Sequence, residues 1–504
     1  MPASPCAPRW AGVWPSFDGA AAARAAGVMQ VLKVDGHHGG TAGVAVLADT
    51  PWHALSALKL LKIEWDEAVA AAAFSSASEL DKLSLRLDQA GGSVFYSQGD
   101  VATALKGAAK TISADYRAPY LAHAALEPMN CTVQFKDGAA TVWVSTQVPD
   151  LARKAVAQVL GIARDQVDVQ VQFLGGGFGR RLEIDFIAQA AAIAKGAGGA
   201  PVQSFWSREE DTRHDFNRPA AAARFTAGLD AQGALVAWDN QSVGQSIALQ
   251  ALNRFFGAPQ IGIDKTTVEG AYDQPYAWPP ARIAHEIVLQ PVPVGFWRSV
   301  GHSHQAFFKE SFLDEVAHAS GTDPVALRAG LLQQHPRALA VLQRVAALSG
   351  WGQPLPEASD GAKQARGVAL HSSFGSVVAQ VAEVSVAADK RIRVHRVFCV
   401  IDCGTPVNPN RIRQQMESGI VFGLGAALSG EIRIEKGRVQ QSNFHDMPML
   451  RMNECPLIVT EVMPSTAHPE GVGEPGVPPI APAVANALFT LTGQRLRSLP
   501  LKLA

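Results

Sequence analysis

The feature that most constrains the fold of this chain is a run of glycines between a predicted strand and a predicted helix. From residue 167 to 173 apolar and polar side chains alternate, which is the period of a half-buried strand. The segment Gly175-Gly176-Gly177-Phe178-Gly179 follows almost directly, and the apolar, alanine-rich segment 187–195 predicts a helix. The sequence therefore predicts a unit of strand, glycine loop and helix.

Consecutive glycines at such a position leave backbone N–H groups accessible, so that they can hold an anion near the start of a helix. No Lys-Ser or Lys-Thr pair follows, as it would in a nucleoside-triphosphate loop, and the G-x-G-x-x-G spacing of a dinucleotide fold is absent. A plain bend that brings strand and helix close together would use the same glycines. Both interpretations stay open on the residues alone.

Length and charge limit the class of protein. The 504 residues suffice for about three domains, and 47% hydrophobic with 18% charged residues is typical of soluble globular proteins. A formal net charge of −1 provides no field that would attract nucleic acid or an anionic membrane. The charge-free run 475–494 is interrupted by prolines and glycines, which argues against a membrane span. We therefore expect a soluble protein with no nucleic-acid partner.

The five cysteines are too few and too scattered to predict a disulfide framework. Cys399 and Cys403 lie in a predicted strand, where about 3.3 Å of rise per residue holds their sulfurs too far apart to share a metal. We interpret them as core thiols and predict no iron–sulfur cluster in this chain. The first ten residues lack the apolar stretch of a secretory signal, so the compartment is left open.

Periodicity and breaker residues divide the rest of the chain. A small α/β unit is predicted at 20–67, with helices at 20–26 and 51–61 and strands at 28–34, 42–48 and 62–65. The Ala/Ser-rich segment 67–97 is interpreted as a surface connection, and Asp137-Gly138 predicts a hairpin between two strands. Helices are predicted at 305–319 and 324–332, the second capped by Asp323, and 351–366 is interpreted as a linker.

One carboxylate near the end of the chain is a candidate general base. Glu474 lies in Gly471-Val472-Gly473-Glu474-Pro475-Gly476, and no basic residue follows until Arg495. An environment that solvates the anion poorly keeps a carboxylate ready to accept a proton. Taken alone, a surface turn is the more common explanation of such a segment.

Two further segments are candidates for binding. Segment 413–428 combines glycines and alanines in a predicted helix, which suits either a bulky ligand close to the backbone or tight helix packing. In segment 295–302, Arg298 beside aromatic residues could orient a substrate, although a surface arginine is the default interpretation. His302 and His304 have no acidic or cysteine partner at ligand spacing and are interpreted as structural.

Four separated motifs, in this order, resemble those of the molybdenum-binding subunit of the xanthine dehydrogenase and aldehyde oxidase family. They are Gly175 to Leu182, Trp206 to Asp211 with His214-Asp215 and Arg218-Pro219, Trp297 to His304, and Gly471 to Ala487. The branch most similar is that of the isoquinoline 1-oxidoreductase β subunit and related membrane-associated aldehyde dehydrogenases. The resemblance implies an α+β fold, with molybdopterin-binding domains of the aldehyde oxidase type and a partial α/β hammerhead domain at the N-terminus.

The resemblance also implies site residues. Glu474 is similar to the family's catalytic glutamate, and Arg298 and Phe178 are similar to residues on the substrate side. The implied cofactor is molybdenum with molybdopterin cytosine dinucleotide, whose dithiolene holds the metal, so no metal ligand is expected from the protein. Cofactor contacts are implied for two loops and one helix, at Gly176, Gly177, Phe178, Gly179, Gln414, Gly419, Gly423, Gly425, Ala426 and Gly473.

The activity implied by the resemblance is oxidation of an aldehyde or N-heterocyclic aromatic compound, with water as the oxygen source. Electrons would pass to a small subunit carrying [2Fe–2S] clusters, and a cytochrome c subunit could follow. Many relatives are periplasmic, and others are cytoplasmic. The alternative hypothesis is a truncated fragment that holds no cofactor, is inactive and serves at most as an interaction partner.

The expected domain organisation has five parts. Residues 1–19 are unassigned, 20–75 form the partial hammerhead domain, 76–350 and 367–504 form two parts of the molybdopterin-binding region, and 351–366 link them. Compared with the family pattern the chain is expected to be N-terminally truncated. The expected missing part is a half-domain with a Gly-Gln-Gly motif, often preceded by a twin-arginine signal.

Overall fold

The computed structural model of the protein describes residues 2–3, 16–65, 73–89, 91–358 and 361–503. The N-terminal part consists of a three-stranded antiparallel sheet in the order β1-β4-β3, two short helices, and the antiparallel pair β2-β5. Its elements are β1 (Pro2–Ala3), β2 (Ser16–Asp18), α1 (Ala20–Ala23), β3 (Val28–Val34), β4 (Gly43–Ala48), α2 (Pro51–Leu58) and β5 (Lys62–Glu64). All five predicted elements of this unit are present, with helices that are shorter than predicted.

The interpretation of segment 67–97 as a surface connection is wrong where the structure describes it. The chain forms α3 (Ser76–Arg86) and β6 (Ser93–Gln98) there, whereas 66–72 lie outside the described residues. Leu80, Leu83 and Leu87 recur at helical spacing and pack into a cluster with Tyr120 and Val243. The high proportion of alanine, serine and charge concealed this periodicity.

The central part contains two sheets. Its elements are α4 (Val101–Gly107), β7 (Lys110–Ala118), β8 (Asn130–Lys136), β9 (Ala139–Val144), α5 (Pro149–Leu160), β10 (Val167–Val171), α6 (Asp185–Lys195), β11 (Val202–Phe205), α7 (Arg208–Arg213), β12 (Ala221–Leu229), β13 (Leu235–Gly244), α8 (Ile247–Phe256), β14 (Ala281–Ile287), α9 (His302–Ser320), α10 (Pro324–Leu331) and α11 (Pro336–Ser349). One sheet has the order β10-β9-β8-β11, and the other has the order β6-β14-β13-β12-β7.

Several local predictions are confirmed in this part. The hairpin between β8 and β9 turns at Asp137 and Gly138, which both have positive φ. Asp323 caps α10 by accepting hydrogen bonds from the amides of Val325 and Ala326, and α9 ends at Gly321 in the left-handed conformation. The strand predicted at 167–173 ends earlier, at Val171, and Phe173 is fully exposed.

The C-terminal part contains a four-stranded sheet in the order β15-β16-β17-β20 and two helices. Its elements are β15 (Gln364–Ser373), β16 (Ser376–Val386), β17 (Ile392–Asp402), α12 (Pro409–Ser429), β18 (Ile434–Glu435), β19 (Arg438–Val439), β20 (Leu457–Val462) and α13 (Ile480–Thr492). Strand β15 begins at Gln364, inside the predicted linker. One large apolar core joins β12 and β13 to β15–β17 through α9 and α13, so the central and C-terminal parts pack as one body.

Cys399 and Cys403 are buried free thiols, as predicted. No helix in the described ranges is both long enough and apolar enough to cross a lipid bilayer.

Candidate active site

The position of the glycine loop follows from two parallel strands. β9 and β10 are parallel neighbours with Val144 opposite Val171, so both chains leave the sheet at the same edge. The Ser145 hydroxyl donates to the carbonyl of Phe173 at 2.9 Å. Gln147 thereby lies beside the loop, where a Cβ atom on Gly177 would come within 2.8 Å of its Oε1 atom.

Two buried arginines hold the loop from beneath. Arg180 donates two hydrogen bonds of 2.9 Å to the carboxylate of Asp185, a bidentate pair buried on both sides. Arg181 donates to the carbonyl of Gly176 at 2.8 Å and to the carboxylate of Glu127 at 2.6 Å. Because removal of one partner would leave an unpaired buried charge, these pairs restrict the loop to one conformation.

The loop turns its carbonyl groups toward the protein and leaves its amides without protein acceptors. All five carbonyl oxygens of residues 175–179 accept hydrogen bonds, among them that of Phe178, which accepts from the Arg298 amide at 2.8 Å. In the part of the chain that the structure describes, the N–H groups of Gly176, Gly177, Phe178 and Gly179 have no protein acceptor. Such a cradle of adjacent N–H groups suits a ligand that presents oxygen or sulfur acceptors.

Glu474 faces a strained turn that follows β14. The Ser299 amide donates to its Oε2 atom at 2.7 Å, and the Ser299 hydroxyl donates to its backbone carbonyl at 2.8 Å. Ser299 and Val300 have φ values of 78° and 47°, which is unusual for a β-branched residue such as Val300. Burial raises the pKa of Glu474, and the Ser299 amide and Arg298 partly offset that effect.

Arg298 connects the Glu474 segment to α12. Its guanidinium donates to the carbonyl of Gly473 through Nε at 2.7 Å and also through Nη2, and to Ser418 Oγ and Gln415 Oε1 at 3.0 Å each. Burial lowers its pKa to about 10, and the charge of Glu474 opposes this shift. Arg298 therefore ties the carbonyl of Gly473, the residue before Glu474, to Gln415 and Ser418 of α12.

A cavity of about 550 Å³, here called the Glu474 cavity, lies between the loop and Glu474. Its lining residues are Gln147, Leu174, Gly177, Phe178, Gly179, Leu182, Phe296, Trp297, Arg298, Val300, Gln415, Ser418, Gly473 and Glu474. A second cavity of about 860 Å³, the α12 cavity, lies on the other side of Phe178 and shares Phe178, Trp297 and Ser418 with the first. The Phe178 ring stacks on Phe422 at 4.5 Å, and Phe422 stacks on Trp297 at 4.6 Å.

Most of the residues that were expected to contact the cofactor are part of the lining of one of these two cavities. Gly176, Gln414, Gly425 and Ala426 line the α12 cavity, whereas Gly177, Gly179 and Gly473 line the Glu474 cavity, and Phe178 lines both. Three motifs that are far apart in sequence therefore converge on one place.

Gly419 and Gly423 are on another face of α12. A Cβ atom on Gly419 would lie 3.0 Å from backbone atoms of Gly476, and one on Gly423 would lie 2.7 Å from a methyl group of Ile480. Neither glycine lines the two cavities. For these two positions the geometry favours the packing explanation over the cofactor contact.

Two alanine substitutions separate packing from binding on the same helix. Gly423→Ala is expected to lower the free energy of unfolding of the cofactor-free chain by about 1–3 kcal/mol, the usual cost of overpacking. Gly425→Ala is its matched control, because its Cβ atom would meet nothing closer than 3.9 Å and alanine favours a helix over glycine by about 1 kcal/mol. Denaturant unfolding of both variants measures the difference, and equal stabilities would contradict the packing described here.

The structure places His302 and His304 inside the protein. His302 Nδ1 lies 2.9 Å from Nε2 of His371, and burial lowers the pKa of all three histidines. Among the described residues, no three His, Cys, Asp or Glu side chains converge as a metal site would require.

The sequence analysis missed Gln147 and Ser299. One strand ends shortly before Gln147, and another ends shortly before the glycine loop. A prediction that these two strands are parallel neighbours would have placed Gln147 at the site. Ser299 acts through its backbone amide, and the role of a backbone amide cannot be predicted from a pattern of side chains.

Comparison with known proteins identifies the kind of domain that the chain contains. Models of the molybdopterin cofactor-binding domain match residues 87–330 and 346–456. These segments include the glycine loop, Arg298 and all of α12. Fold and site together define a molybdopterin-binding protein.

Curated relatives show to which family of molybdopterin-binding proteins the chain belongs. The beta chain of isoquinoline 1-oxidoreductase from Brevundimonas diminuta is 35% identical over 392 residues, which cover 77% of this chain and 48% of the relative. A chain of nicotinate dehydrogenase from Pseudomonas putida is 29% identical, and the match covers 80% of this chain and 35% of the relative. The membrane-bound, pyrroloquinoline-quinone aldehyde dehydrogenase of Gluconacetobacter polyoxogenes is 28% identical, and the match covers 97% of this chain and 66% of the relative. The chain belongs to the xanthine dehydrogenase and aldehyde oxidase family of molybdenum-dependent oxidoreductases, as its motifs predicted.

The chain spans about one third to two thirds of the length of these relatives. Among solved structures, quinoline 2-oxidoreductase from Pseudomonas putida 86 superimposes with a TM-score of 0.79 at 15% identity, with 99% of this chain and 93% of that one covered. Aldehyde oxidoreductase from Desulfovibrio gigas superimposes with a TM-score of 0.77 at 15% identity, and the match covers 99% of this chain and 76% of that one. The predicted α+β fold of the aldehyde oxidase type is confirmed.

Proposed function

We propose that this chain forms the catalytic part of a molybdenum hydroxylase that oxidises an aldehyde or an N-heterocyclic aromatic compound with water as the oxygen source. The observation that carries the proposal is the position of Glu474. Its half-buried carboxylate lies across one cavity from a loop whose amides lack protein acceptors among the described residues. A base and an acceptor-binding cradle therefore face the same space.

The residues present fit a molybdopterin cofactor. The amides of Gly176 to Gly179 would hold its acceptor groups, and the open face of α12 at Gln414, Gly425 and Ala426 would receive the pterin in the α12 cavity. When bound, this cofactor supplies a Lewis acid and a two-electron redox centre.

The residues of the chain then have distinct tasks. Glu474 accepts a proton as oxygen from water is transferred to an electron-poor carbon of the substrate. The Ser299 amide orients the carboxylate, and Arg298 fixes the backbone of Gly473 beside it. The aromatic rings of Phe178, Phe296 and Trp297 exclude water and give a flat substrate a surface to stack on.

The lining of the Glu474 cavity favours a neutral substrate. The residues around it include one cation, Arg298, whose guanidinium is already engaged by Gly473, Gln415 and Ser418. A carboxylate on the substrate would also lie close to the anion of Glu474. An isoquinoline-like heterocycle or an aromatic aldehyde therefore suits this cavity better than nicotinate.

A third cavity supports the dinucleotide form of the cofactor. It has a volume of about 640 Å³ and borders the α12 cavity at Gly425 and at residues 448–450. Four cationic residues line it, together with Asp389 and Glu454: Lys390, Arg391, Arg393 and Lys502. Cationic side chains of this kind bind phosphate groups, which a cytosine dinucleotide would supply.

The proposal includes a partner that accepts electrons. Hydroxylation with water releases two electrons and two protons, and the cysteines of this chain are too scattered in sequence to hold an iron–sulfur cluster. A small [2Fe–2S] subunit would receive the electrons and pass them on, in some assemblies to a cytochrome c subunit. The isoquinoline and nicotinate relatives are both named as subunits of larger enzymes, which supports an assembly of several chains.

Elemental analysis tests the proposal directly. The chain is purified after expression with a [2Fe–2S] partner and a cofactor-insertion chaperone. Molybdenum is then quantified, and the pterin is identified by mass spectrometry as a mononucleotide or a cytosine dinucleotide. We expect molybdenum and a pterin together with oxidation of isoquinoline or benzaldehyde. Absence of both molybdenum and pterin would overturn the enzyme function.

The pH dependence of turnover follows from Glu474. As a base it must be ionised, and burial raises its pKa above the usual 4.5. Activity is therefore expected to be full above the raised pKa and to fall as the pH decreases through it. The acid limb of kcat/KM against pH measures this value in the free enzyme. An acid limb at or below 4.5 would contradict the buried position of the base.

A further inference from the structure

A buried histidine lies against the glycine loop. His123 belongs to the segment between β7 and β8, and it is part of the lining of the α12 cavity. A Cβ atom on Gly179 would come within 3.2 Å of its Nε2 atom. Its Nδ1 atom lies 2.8 Å from one oxygen of the Asp215 carboxylate, and its Nε2 atom lies 2.8 Å from the carbonyl oxygen of Phe296. The ring therefore connects the loop to two other segments of the site.

Neither partner of the His123 ring supplies a proton. A backbone carbonyl oxygen only accepts hydrogen bonds, and so does an ionised carboxylate. Asp215 is held as an anion, because one oxygen accepts from the His123 amide at 2.5 Å and the other lies 3.3 Å from Nε of Arg180. Burial would raise the pKa of Asp215, but the charge and hydrogen bonds of His123 and the charge of Arg180 lower it to about 2. Both ring nitrogens must then donate, which only an imidazolium can do.

The buried charges near His123 balance only if its ring carries this second proton. Two arginines and three aspartates form the group in the described ranges, namely Arg180, Arg208, Asp185, Asp211 and Asp215. Burial and the charge of Asp215 raise the pKa of Asp211 to about 6, which leaves Asp211 an anion at neutral pH. The neighbouring pair of Arg181 and Glu127 is neutral by itself. Since an uncompensated buried charge is costly, a third cation is required, and His123 supplies it.

We infer that His123 is a buried imidazolium whose positive charge lies against the amide cradle of the glycine loop. The cradle consists of the N–H groups of residues 176–179, which present partial positive charges to a ligand. The imidazolium adds a full charge to these dipoles, so the site favours an anionic group over a neutral one. This role toward the cofactor rests on the proposed function, whereas the doubly protonated ring is a property of this chain alone.

Nuclear magnetic resonance of the full chain with ¹⁵N-labelled histidine side chains tests the charge without any cofactor. At neutral pH we expect a slowly exchanging ring with protons on both nitrogens, and we expect His123→Gln to remove its signals. His371 serves as an internal reference in the same spectrum. Its Nδ1 atom lies 3.3 Å from the ammonium group of Lys309, which can only donate, so His371 is expected to carry one proton, on Nε2.

Asp215→Asn is expected to convert His123 to the neutral form. The oxygen of an asparagine can accept from the His123 amide while its NH₂ group donates to Nδ1, so the ring keeps only the Nε2 proton that it donates to Phe296. Asp168→Asn is the matched control, because it makes the same chemical change at an exposed position of β10. We expect it to leave both ring protons of His123 in place.

Two results would overturn the inference. One is a His123 ring with a single protonated nitrogen in the unmodified, folded chain. The other is a ring that keeps both protons in Asp215→Asn, which would show that Asp215 does not hold the charge. Circular dichroism establishes that each variant is folded. If the variants unfold, neutron diffraction from crystals of the unmodified chain decides the question, because it locates a deuteron on each ring nitrogen.

The loaded enzyme provides an independent measurement. A positive charge stabilises the electron-rich, reduced form of a nearby redox centre, so its loss makes reduction harder. We expect His123→Gln to move the midpoint potential of the bound molybdenum to more negative values, and we expect Asp168→Asn to leave this potential unchanged. An unchanged potential in His123→Gln would exclude the role toward the cofactor even if the ring is doubly protonated. A chain that contains no molybdenum would contradict the proposed function and leave the resonance result valid, so the two hypotheses fail separately.

Discussion

Glu474→Gln is expected to abolish turnover while the molybdenum content of the purified protein stays the same. Glutamine keeps the volume of the side chain, and its carbonyl oxygen can still accept the 2.7 Å hydrogen bond from the Ser299 amide. It cannot accept a proton at neutral pH. Loss of a positioned general base costs about 10²- to 10⁴-fold in rate. Steady-state turnover per molybdenum atom, measured against the unmodified chain, gives this ratio.

The matched control for Glu474→Gln is Glu470→Gln, in an exposed position of the same segment. It makes the same chemical change, and we expect its turnover per molybdenum to be normal. Substantial residual turnover in Glu474→Gln would remove Glu474 from the role of base. A parallel loss of molybdenum would instead assign the residue to cofactor retention.

Local elements of this fold were predictable because their signals are short-range. The unit of strand, glycine loop and helix is present with boundaries shifted by a few residues, and Asp323 and Gly321 begin and end their helices as expected. Caps, turns and periodic apolar faces depend on neighbouring residues and therefore leave a pattern in the sequence. Segment 67–97 is the exception, because its helix carries few apolar residues.

The candidate site was only partly predictable, because tertiary contacts decide which face of an element is functional. Helix α12 carries small residues on several faces. The sequence could not distinguish Gly425, which lines two cavities, from Gly423, which contacts Ile480. That distinction depends on where residues 476–480 pack, about 50 positions further along the chain.

The role of Glu474 was also difficult to predict from its own segment of the sequence. On the residues alone a surface turn was the better interpretation, and only the order of four distant motifs changed it. The structure places the glycine loop, Arg298 and Glu474 around one cavity.

Gly179→Ala is expected to have the second large effect, because it removes the conformation of the loop. Gly179 has a φ of 106°, and a Cβ atom there would lie 1.5 Å from the carbonyl oxygen of Phe296. Backbone strain of this kind costs about 1–3 kcal/mol by itself, and the overlap requires the loop to move. Movement would break the 2.8 Å hydrogen bond from the Arg298 amide to the Phe178 carbonyl. It would also separate Phe178 from Phe422.

Gly330→Ala distinguishes this effect from a general effect of alanine. Gly330 is a residue of α10 where a Cβ atom would meet nothing within 4 Å, so the change is expected to be neutral or slightly stabilising. Thermal unfolding and molybdenum content are measured for both variants. We expect Gly179→Ala to lose most of its molybdenum and to unfold at a lower temperature than Gly330→Ala. If Gly179→Ala kept the molybdenum content and unfolding temperature of the unmodified chain, the loop would not be held against Phe296, and its amides would not form the proposed cradle.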